Sequence, residues 1–261
     1  MPLIEDTLFG RVNKVQIAID RLKAFEPPEG YHLAYSGGKD SDTILALAKM
    51  SEVKFDAHYQ LTTVDPPEVV HHIKTHPEVQ IHRPDKTMWQ LIPRKLMPPT
   101  RMVRYCCEYL KERGGAGRRI ITGVRQQESS KRSKRQMVEQ CYKDKTKTYV
   151  NPIIDWSEGD VWEFIRGYNI NYCSLYDEGF ARLGCIGCPM TGRKQMLKEF
   201  ERWPKIKQGY IRAFDRMIAE RKRREKPCQW ETGEDVMEWW TMAAGTSAKS
   251  QCTDDQTVMF E

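Results

Sequence analysis

The sequence predicts an α/β fold: a doubly wound, mostly parallel sheet followed by a C-terminal helical extension. Three observations predict it. Short apolar runs at His32–Tyr35, Lys54–Leu61, Val79–His82, Ile120–Gly123 and Tyr149–Ile154 read as strands. Helical or turn-rich stretches separate them, which is the alternation of a parallel sheet. The first run closes on Ser36-Gly37-Gly38-Lys39-Asp40-Ser41, a glycine-rich turn that enters a helical pattern. The expected organisation is an α/β domain over residues 1–190 and a helical extension over 191–261.

Each element has a local reason. Leu8, Val12, Val15, Ile17, Ala18, Leu22 and Phe25 recur at near-helical spacing, so residues 7–25 read as a helix stopped by Pro27-Pro28. The second strand runs into Thr62-Thr63-Val64-Asp65-Pro66-Pro67, and Pro67 can open the next helix. Residues 87–96 read as a helix limited by prolines. Ser157 is an N-cap with Asp160 three residues on, and Val161, Trp162, Phe164 and Ile165 supply the buried side of that helix. Residues 194–224 read as an amphipathic helix broken near Pro204, and residues 236–243 as a last helix.

The chemistry begins at the glycine-rich turn. Two glycines let the backbone bend where a Cβ would clash. Main-chain N–H groups and the positive end of the helix dipole then face one point, which favours an anion. Lys39 adds a mobile point charge, and Ser36 and Ser41 add hydroxyls. The spacing is not that of the Walker A loop. Asp65, in the loop at the carboxyl end of the second strand, is a nucleotide-site candidate, with a turn-shaping role as the alternative.

The 261 residues carry a net charge of +6 and are 39% hydrophobic. Mean hydropathy is −0.68, and no apolar run approaches the ~20 residues that span a bilayer. The amino end lacks a basic region followed by an apolar core, so a cytoplasmic location is expected. The positive balance favours an anionic partner, nucleotide or nucleic acid. Lys131-Arg132, Lys134-Arg135 and Arg221–Arg224 are candidate contacts to a nucleic-acid backbone, with solvated basic faces as the alternative.

Eight cysteines without an export signal point to metal or redox chemistry. Cys106 and Cys107 are adjacent, and Cys185 and Cys188 form Cys-Ile-Gly-Cys-Pro. Four thiolates suit Zn²⁺ or an iron–sulfur cluster. Side chains of adjacent cysteines diverge, which fits the separate corners of a [4Fe–4S] cubane better than one tetrahedral ion. Cys173 is a spare ligand, a persulfide carrier or a packed thiol. Cys141 and Cys228 have no partner spacing and read as structural.

The turn Ser36–Ser41 resembles the PP-loop of the ATP pyrophosphatases. With Lys39 at its variable position it is most similar to the phosphoadenosine-phosphosulfate (PAPS) reductase family. The paired cysteines followed by C-x-x-C resemble the cluster signature of the iron–sulfur adenylyl-sulfate reductases. Gly123-Val124-Arg125 with Ser129 and Arg132 resembles that family's arginine loop, and Asn151–Trp156 resembles the segment ahead of its helix. The resemblance spans about residues 30–190 and implies an adenine nucleotide alpha hydrolase-like sheet. It implies that Ser36, Gly37, Gly38, Lys39, Asp40, Ser41, Asp65, Gly123, Arg125 and Arg132 bind ATP or an adenylyl-sulfate-type nucleotide, with Mg²⁺ as an expected counter-ion. It places a [4Fe–4S] cluster on Cys106, Cys107, Cys185 and Cys188.

Family reductases carry a catalytic thiol in a Glu-Cys-Gly-[Leu/Ile]-His segment. Here Cys252 stands in Ser-Gln-Cys-Thr-Asp instead. Lys39, Asp40 and Cys252 are the candidate catalytic residues. The expected function is ATP-dependent sulfur transfer, releasing AMP and pyrophosphate, as in the Dnd-type proteins of DNA phosphorothioation. The alternatives are a sulfonucleotide reductase releasing sulfite and a non-enzymatic interaction module. Expected partners are an adenine nucleotide, a nucleic acid or sulfur-donor protein, and a second copy of the chain; no membrane is expected.

Overall fold

A computed structural model describes residues 3–8 and 10–243 of the chain. Its residues divide into two compact units. The first takes in Met1–Gln60, Pro67–His82 and Arg113–Leu183; the second takes in Leu61–Pro66, Arg83–Glu112 and Gly184–Glu261. The helical stretch expected from residue 191 therefore shares its unit with a mid-chain segment and with the C-x-x-C turn.

The first unit opens with a hairpin, β1 (Ile4–Thr7) and β2 (Gly10–Asn13), then helix α1 (Lys14–Ala24). The long helix expected from residue 7 is thus half hairpin. Asn13 stops the strand and caps the helix, its side chain accepting from Gln16 N at 3.1 Å. Leu8 is a fully exposed turn residue and Val12 lies on β2, so neither lines a helix face.

Strand β3 (Tyr31–Tyr35) leads through the glycine turn into α2 (Lys39–Met50). Then come β4 (Phe55–Gln60), α3 (Pro67–Lys74), β5 (Val79–His82), β6 (Arg119–Ile121), β7 (Val138–Gln140) and β8 (Thr148–Val150). The sheet order is β5-β4-β3-β6-β8-β7, parallel except for β7, which pairs antiparallel with β8 at the edge. β7 lacked a sequence signal: three residues cannot display a period. Likewise β8 ends at Val150, short of the expected Ile154. There the Asn151 side chain leaves the ladder, bonding Thr122 Oγ1 and donating to Gln136 O at 2.8 Å.

Strand order reverses between β3 and β6. The carboxyl ends of those strands are where such sheets place ligands. Leu33, Tyr35, Ala57, Tyr59, Ile120, Ile121 and Val150 are buried between sheet and helices. Each fully buried Leu or Ile contributes ~1.5–3 kcal/mol. Helix α6 (Glu158–Gly167) starts as expected: Ser157 Oγ accepts from Asp160 N at 3.0 Å, and Asp160 Oδ2 accepts from Ser157 N at 2.7 Å.

In the second unit, α4 (Met88–Lys95) and α5 (Tyr105–Leu110) join α7 (Arg193–Arg202), α8 (Pro204–Arg223) and α9 (Gly233–Ala243). Pro204 begins α8, as the break in the periodicity predicts. Trp89, Phe200, Tyr210, Phe214 and Trp240 pack ring against ring, and Trp240 Nε1 donates to Pro99 O at 2.6 Å. No helix among the described residues is long and apolar enough to cross a membrane.

His32, on β3, is buried, which together with neighbouring His58 pushes its pKa down to about 4. The unfolded chain then binds that proton more readily than the folded one. Stability is full above about pH 6.5 and falls as pH drops towards 4, by on the order of 2 kcal/mol from this group. Urea midpoints between pH 7 and pH 4.5 measure it; His32→Gln flattens the slope.

Candidate functional site

The glycine turn sits at the carboxyl end of β3. Gly37 has φ +71°, and a Cβ there would meet Val69 Cγ1 at 2.9 Å and Ile73 Cγ1 at 3.0 Å. Only glycine fits both the dihedral and the contact with α3. Gly38 is the N-cap of α2. Its N–H donates to Ser41 Oγ at 3.0 Å, and Ser41 Oγ donates to Gly38 O at 2.7 Å. Ser36 Oγ lies 3.2 Å from Ser41 Oγ. Lys39 N donates to Tyr176 Oη at 2.9 Å. The turn's amides are thus held in place by hydroxyl oxygens, groups that a phosphate oxygen can replace.

Two cations are buried beside the turn. Lys39 is 5% exposed; its Nζ donates to Ala181 O at 3.3 Å and lies 3.4 Å from Glu158 Oε1 and 3.9 Å from Asp40 Oδ2. Arg125 is 4% exposed and its Nε donates to Asp40 Oδ1 at 2.6 Å. Buried charges persist only when paired, and Asp40 serves both cations. Gly123 backs directly onto Asp40, where a Cβ would meet its carbonyl oxygen at 2.8 Å. Arg132 pairs with Glu128; burial and the nearby Arg182 lower its pKa.

The structure therefore brings Ser36–Ser41, Gly123, Arg125 and Arg132 together. Sequence reasoning missed Tyr176 and Glu158. Tyr176 lies three residues after Cys173, in a 3₁₀ turn (Ser174–Tyr176) that no periodicity marks. Glu158 follows the N-cap Ser157, where an acidic residue is explained by the helix dipole alone.

The thiols lie in the second unit. Cys106 and Cys107 are on α5, and Cys185 and Cys188 flank a tight turn in which Cys188 N donates to Cys185 O at 3.2 Å. Gly187 in that turn has φ +71°, and a Cβ there would meet Phe200 Cζ at 2.7 Å. The turn is fixed from three sides: Ile186 N donates to Val64 O at 2.8 Å, Tyr210 Oη to Ile186 O at 2.9 Å, and Gly187 N to Glu199 Oε2 at 2.8 Å. Cys185 Sγ donates to Thr62 Oγ1 at 3.3 Å.

Asp65 belongs to this unit. Its carboxylate accepts from Thr62 N at 2.6 Å and Thr62 Oγ1 at 2.7 Å, which closes the turn after β4. The hydrogen bond from Cys106 lowers the Cys107 pKa to about 6, with Lys111 and Arg104 adding to it, while the same contact raises Cys106. Burial raises Cys185; Lys111, whose own pKa Cys185 raises, opposes that. Lys111 was not singled out in the sequence, where it is one lysine among many. Cys173 is buried, Cys141 Sγ accepts from Tyr149 Oη at 3.5 Å, and Cys228 Sγ donates to Trp230 O at 3.3 Å. Cys252 lies outside the described residues.

The basic runs are largely engaged. Arg135 pairs with Glu139, Arg223 and Arg224 pair with Glu220 at 2.6 Å, and Arg221 donates to Leu96 O at 2.7 Å. Lys131 and Lys134 are exposed.

The phosphoadenosine phosphosulfate reductase domain matches residues 30–191, a span that contains the glycine turn, Arg125, Arg132 and all four paired cysteines. An uncharacterized protein of Methanocaldococcus jannaschii is 26% identical over 194 residues, 70% of this chain and 47% of that protein. The adenosine 5'-phosphosulfate reductase of Neisseria meningitidis serogroup A is 38% identical over 90 residues, 33% of this chain and 36% of the reductase. The chain spans less than half the length of these relatives. Among solved structures, the phosphate complex of PAPS reductase from Candida auris has a TM-score of 0.52 at 15% identity, over 64% of this chain and 87% of that one. With its match covering well over half of its residues, the chain belongs to the phosphoadenosine phosphosulfate reductase domain family.

Proposed function

We propose that the chain is a nucleotide-dependent enzyme of sulfur chemistry that binds ATP at the glycine turn and transfers sulfur to an adenylated acceptor. One observation carries this reading: two buried cations, Lys39 and Arg125, converge on Asp40 at a strand-to-helix turn where the strand order reverses. The turn's amides and Lys39 hold phosphate oxygens. Arg125 and Arg132 supply further anion contacts, Asp40 keeps the cations aligned, and Mg²⁺ accompanies the polyphosphate. An acceptor oxygen attacks the α-phosphorus, the α–β bond breaks, and its electron pair leaves with pyrophosphate. Hydrosulfide supplied by a sulfur donor then attacks the adenylated atom, forming the new bond to sulfur as AMP leaves with the electron pair of the bond that breaks. Exposed Lys131 and Lys134 favour nucleic acid as the acceptor.

Cys106, Cys107, Cys185 and Cys188 are the ligands in this reading of a [4Fe–4S] cluster, which when bound supplies one-electron chemistry. Two features support the fit. The hydrogen bond from Cys106, with Lys111 and Arg104 nearby, favours the thiolate form of Cys107 that a metal ligand needs. One tetrahedral zinc needs sulfurs about 3.8 Å apart, yet among the described residues no three cysteines bring their donor atoms within 4.8 Å of one another.

The similarity to adenosine 5'-phosphosulfate reductases favours a second reading, sulfonucleotide reduction with release of sulfite. That reaction needs a catalytic thiol, for which Cys252 is the candidate.

Incubation with ATP, adenylyl sulfate and PAPS, with and without DNA or RNA, separates the readings. Sulfur transfer gives AMP and pyrophosphate from ATP and loses that activity in Lys39→Ala. Reduction gives sulfite in the presence of thioredoxin and loses it in Cys252→Ser. No turnover of any nucleotide contradicts both. Gly37→Ala, strained by about 1–2 kcal/mol at its positive φ, weakens nucleotide binding about 5–30-fold by calorimetry. Anaerobic purification yields stoichiometric iron and sulfide, lost in Cys185→Ala; a colourless protein holding one zinc on its cysteines contradicts the cluster.

A further inference from the structure

Beneath the glycine turn lies a second group of ligating side chains, separate from the thiols. Asp42 is on α2, His72 is on α3, and His76 follows two residues beyond α3. One donor atom from each lies within 4.8 Å of the other two. Asp42 is 1% exposed and His72 5% exposed. His72 Nε2 is 3.0 Å from Asp42 Oδ1, and Tyr35 Oη donates to that same oxygen while lying 3.3 Å from His72 Nε2.

The remaining donors lack partners. Asp42 Oδ2 and His76 Nε2 are both buried with no hydrogen bond among the described residues. A buried carboxylate oxygen left unpaired is costly, and so is a bare imidazole nitrogen. Both atoms are Lewis bases, so a cation bound between them would satisfy the two together.

The ring geometry agrees. The His72 and His76 planes stand 84° apart with centroids 5.0 Å apart, so their in-plane lone pairs can meet at one point. His76 Nδ1 lies 3.7 Å from Glu78 Oε1, beyond hydrogen-bond reach, and that carboxylate pairs with Lys49. A second triad, His32, Asp56 and His58, fails this test: its two rings stack 10° from parallel, and parallel planes share no point.

We infer that Asp42, His72 and His76 form a buried site for one divalent transition-metal ion, Zn²⁺ by its donor set, which ties α2 to the end of α3. Two imidazoles and one carboxylate, with Tyr35 Oη close by, suit zinc and leave little for Mg²⁺ or Ca²⁺, which prefer all-oxygen shells. The consequence reaches the glycine turn. Gly37 packs on Val69 and Ile73 of α3, and Lys39–Ser41 form the first turn of α2, so the ion fixes both supports of that turn.

The test is metal analysis of the full chain and of a Cys106→Ser/Cys185→Ser variant, which removes thiol-bound metal. The expected result is one equivalent of zinc that survives the cysteine changes and is lost in His76→Gln. Cobalt(II) exchanged into the cysteine variant then gives weak d–d bands without sulfur-to-cobalt charge transfer, a readout that stands even where His76→Gln does not fold. Zinc that disappears with the cysteines, an unchanged zinc content in folded His76→Gln, or cobalt bands of thiolate type alone overturns the site. So does a chain that binds neither metal, which leaves a bridging water on Asp42 Oδ2 and His76 Nε2.

Discussion

Asp40 carries the arrangement at the glycine turn. A buried guanidinium and a buried ammonium side by side are costly without carboxylates to pair them; that of Asp40 meets Arg125 directly and Lys39 more loosely, and Glu158 adds a second beside Lys39. Because Arg125 follows β6 and Lys39 follows β3, that one side chain also joins the two central strands at their carboxyl ends. A charged ligand entering here finds its cations already oriented, so little of its binding energy is spent on ordering long side chains.

The turn itself is built from both directions. Ser41 and Tyr176 hold its amides with hydroxyl oxygens, and α3 supports it from below at a distance only glycine tolerates. The local sequence and the tertiary packing specify the same backbone path, the consistency expected where a fold is strongly encoded.

Much of this could be read from the chain alone, for identifiable reasons. The five parallel strands show as apolar runs because each lies in a stretch of apolar residues buried against the helices, and Ser157 with Asp160 announces α6 through a side-chain code confined to four residues. The failures have reasons too. The amino-terminal hairpin is masked in the sequence because Leu8, Val12 and Val15 satisfy a 3.6 period by accident, although Asn13 caps the helix that follows. Tyr176 and Glu158 reach Lys39 only through tertiary folding. At Asp65 the turn-shaping alternative is what the geometry shows, its carboxylate accepting from Thr62 N and Oγ1.

The thiol-bearing unit is assembled from three separated stretches, residues 61–66, 83–112 and 184–261. Cys106 and Cys107 therefore leave the ribosome well ahead of Cys185 and Cys188. At synthesis rates of about 5–20 residues per second, that interval lasts about 4–16 seconds. Throughout it, Cys106 and Cys107 are thiols without their final neighbours, open to oxidants and stray metal ions. Assembly of this half of the molecule is thus a race between translation and adventitious chemistry, and cells that make the protein in oxygen have a reason to keep their thiol pools reduced.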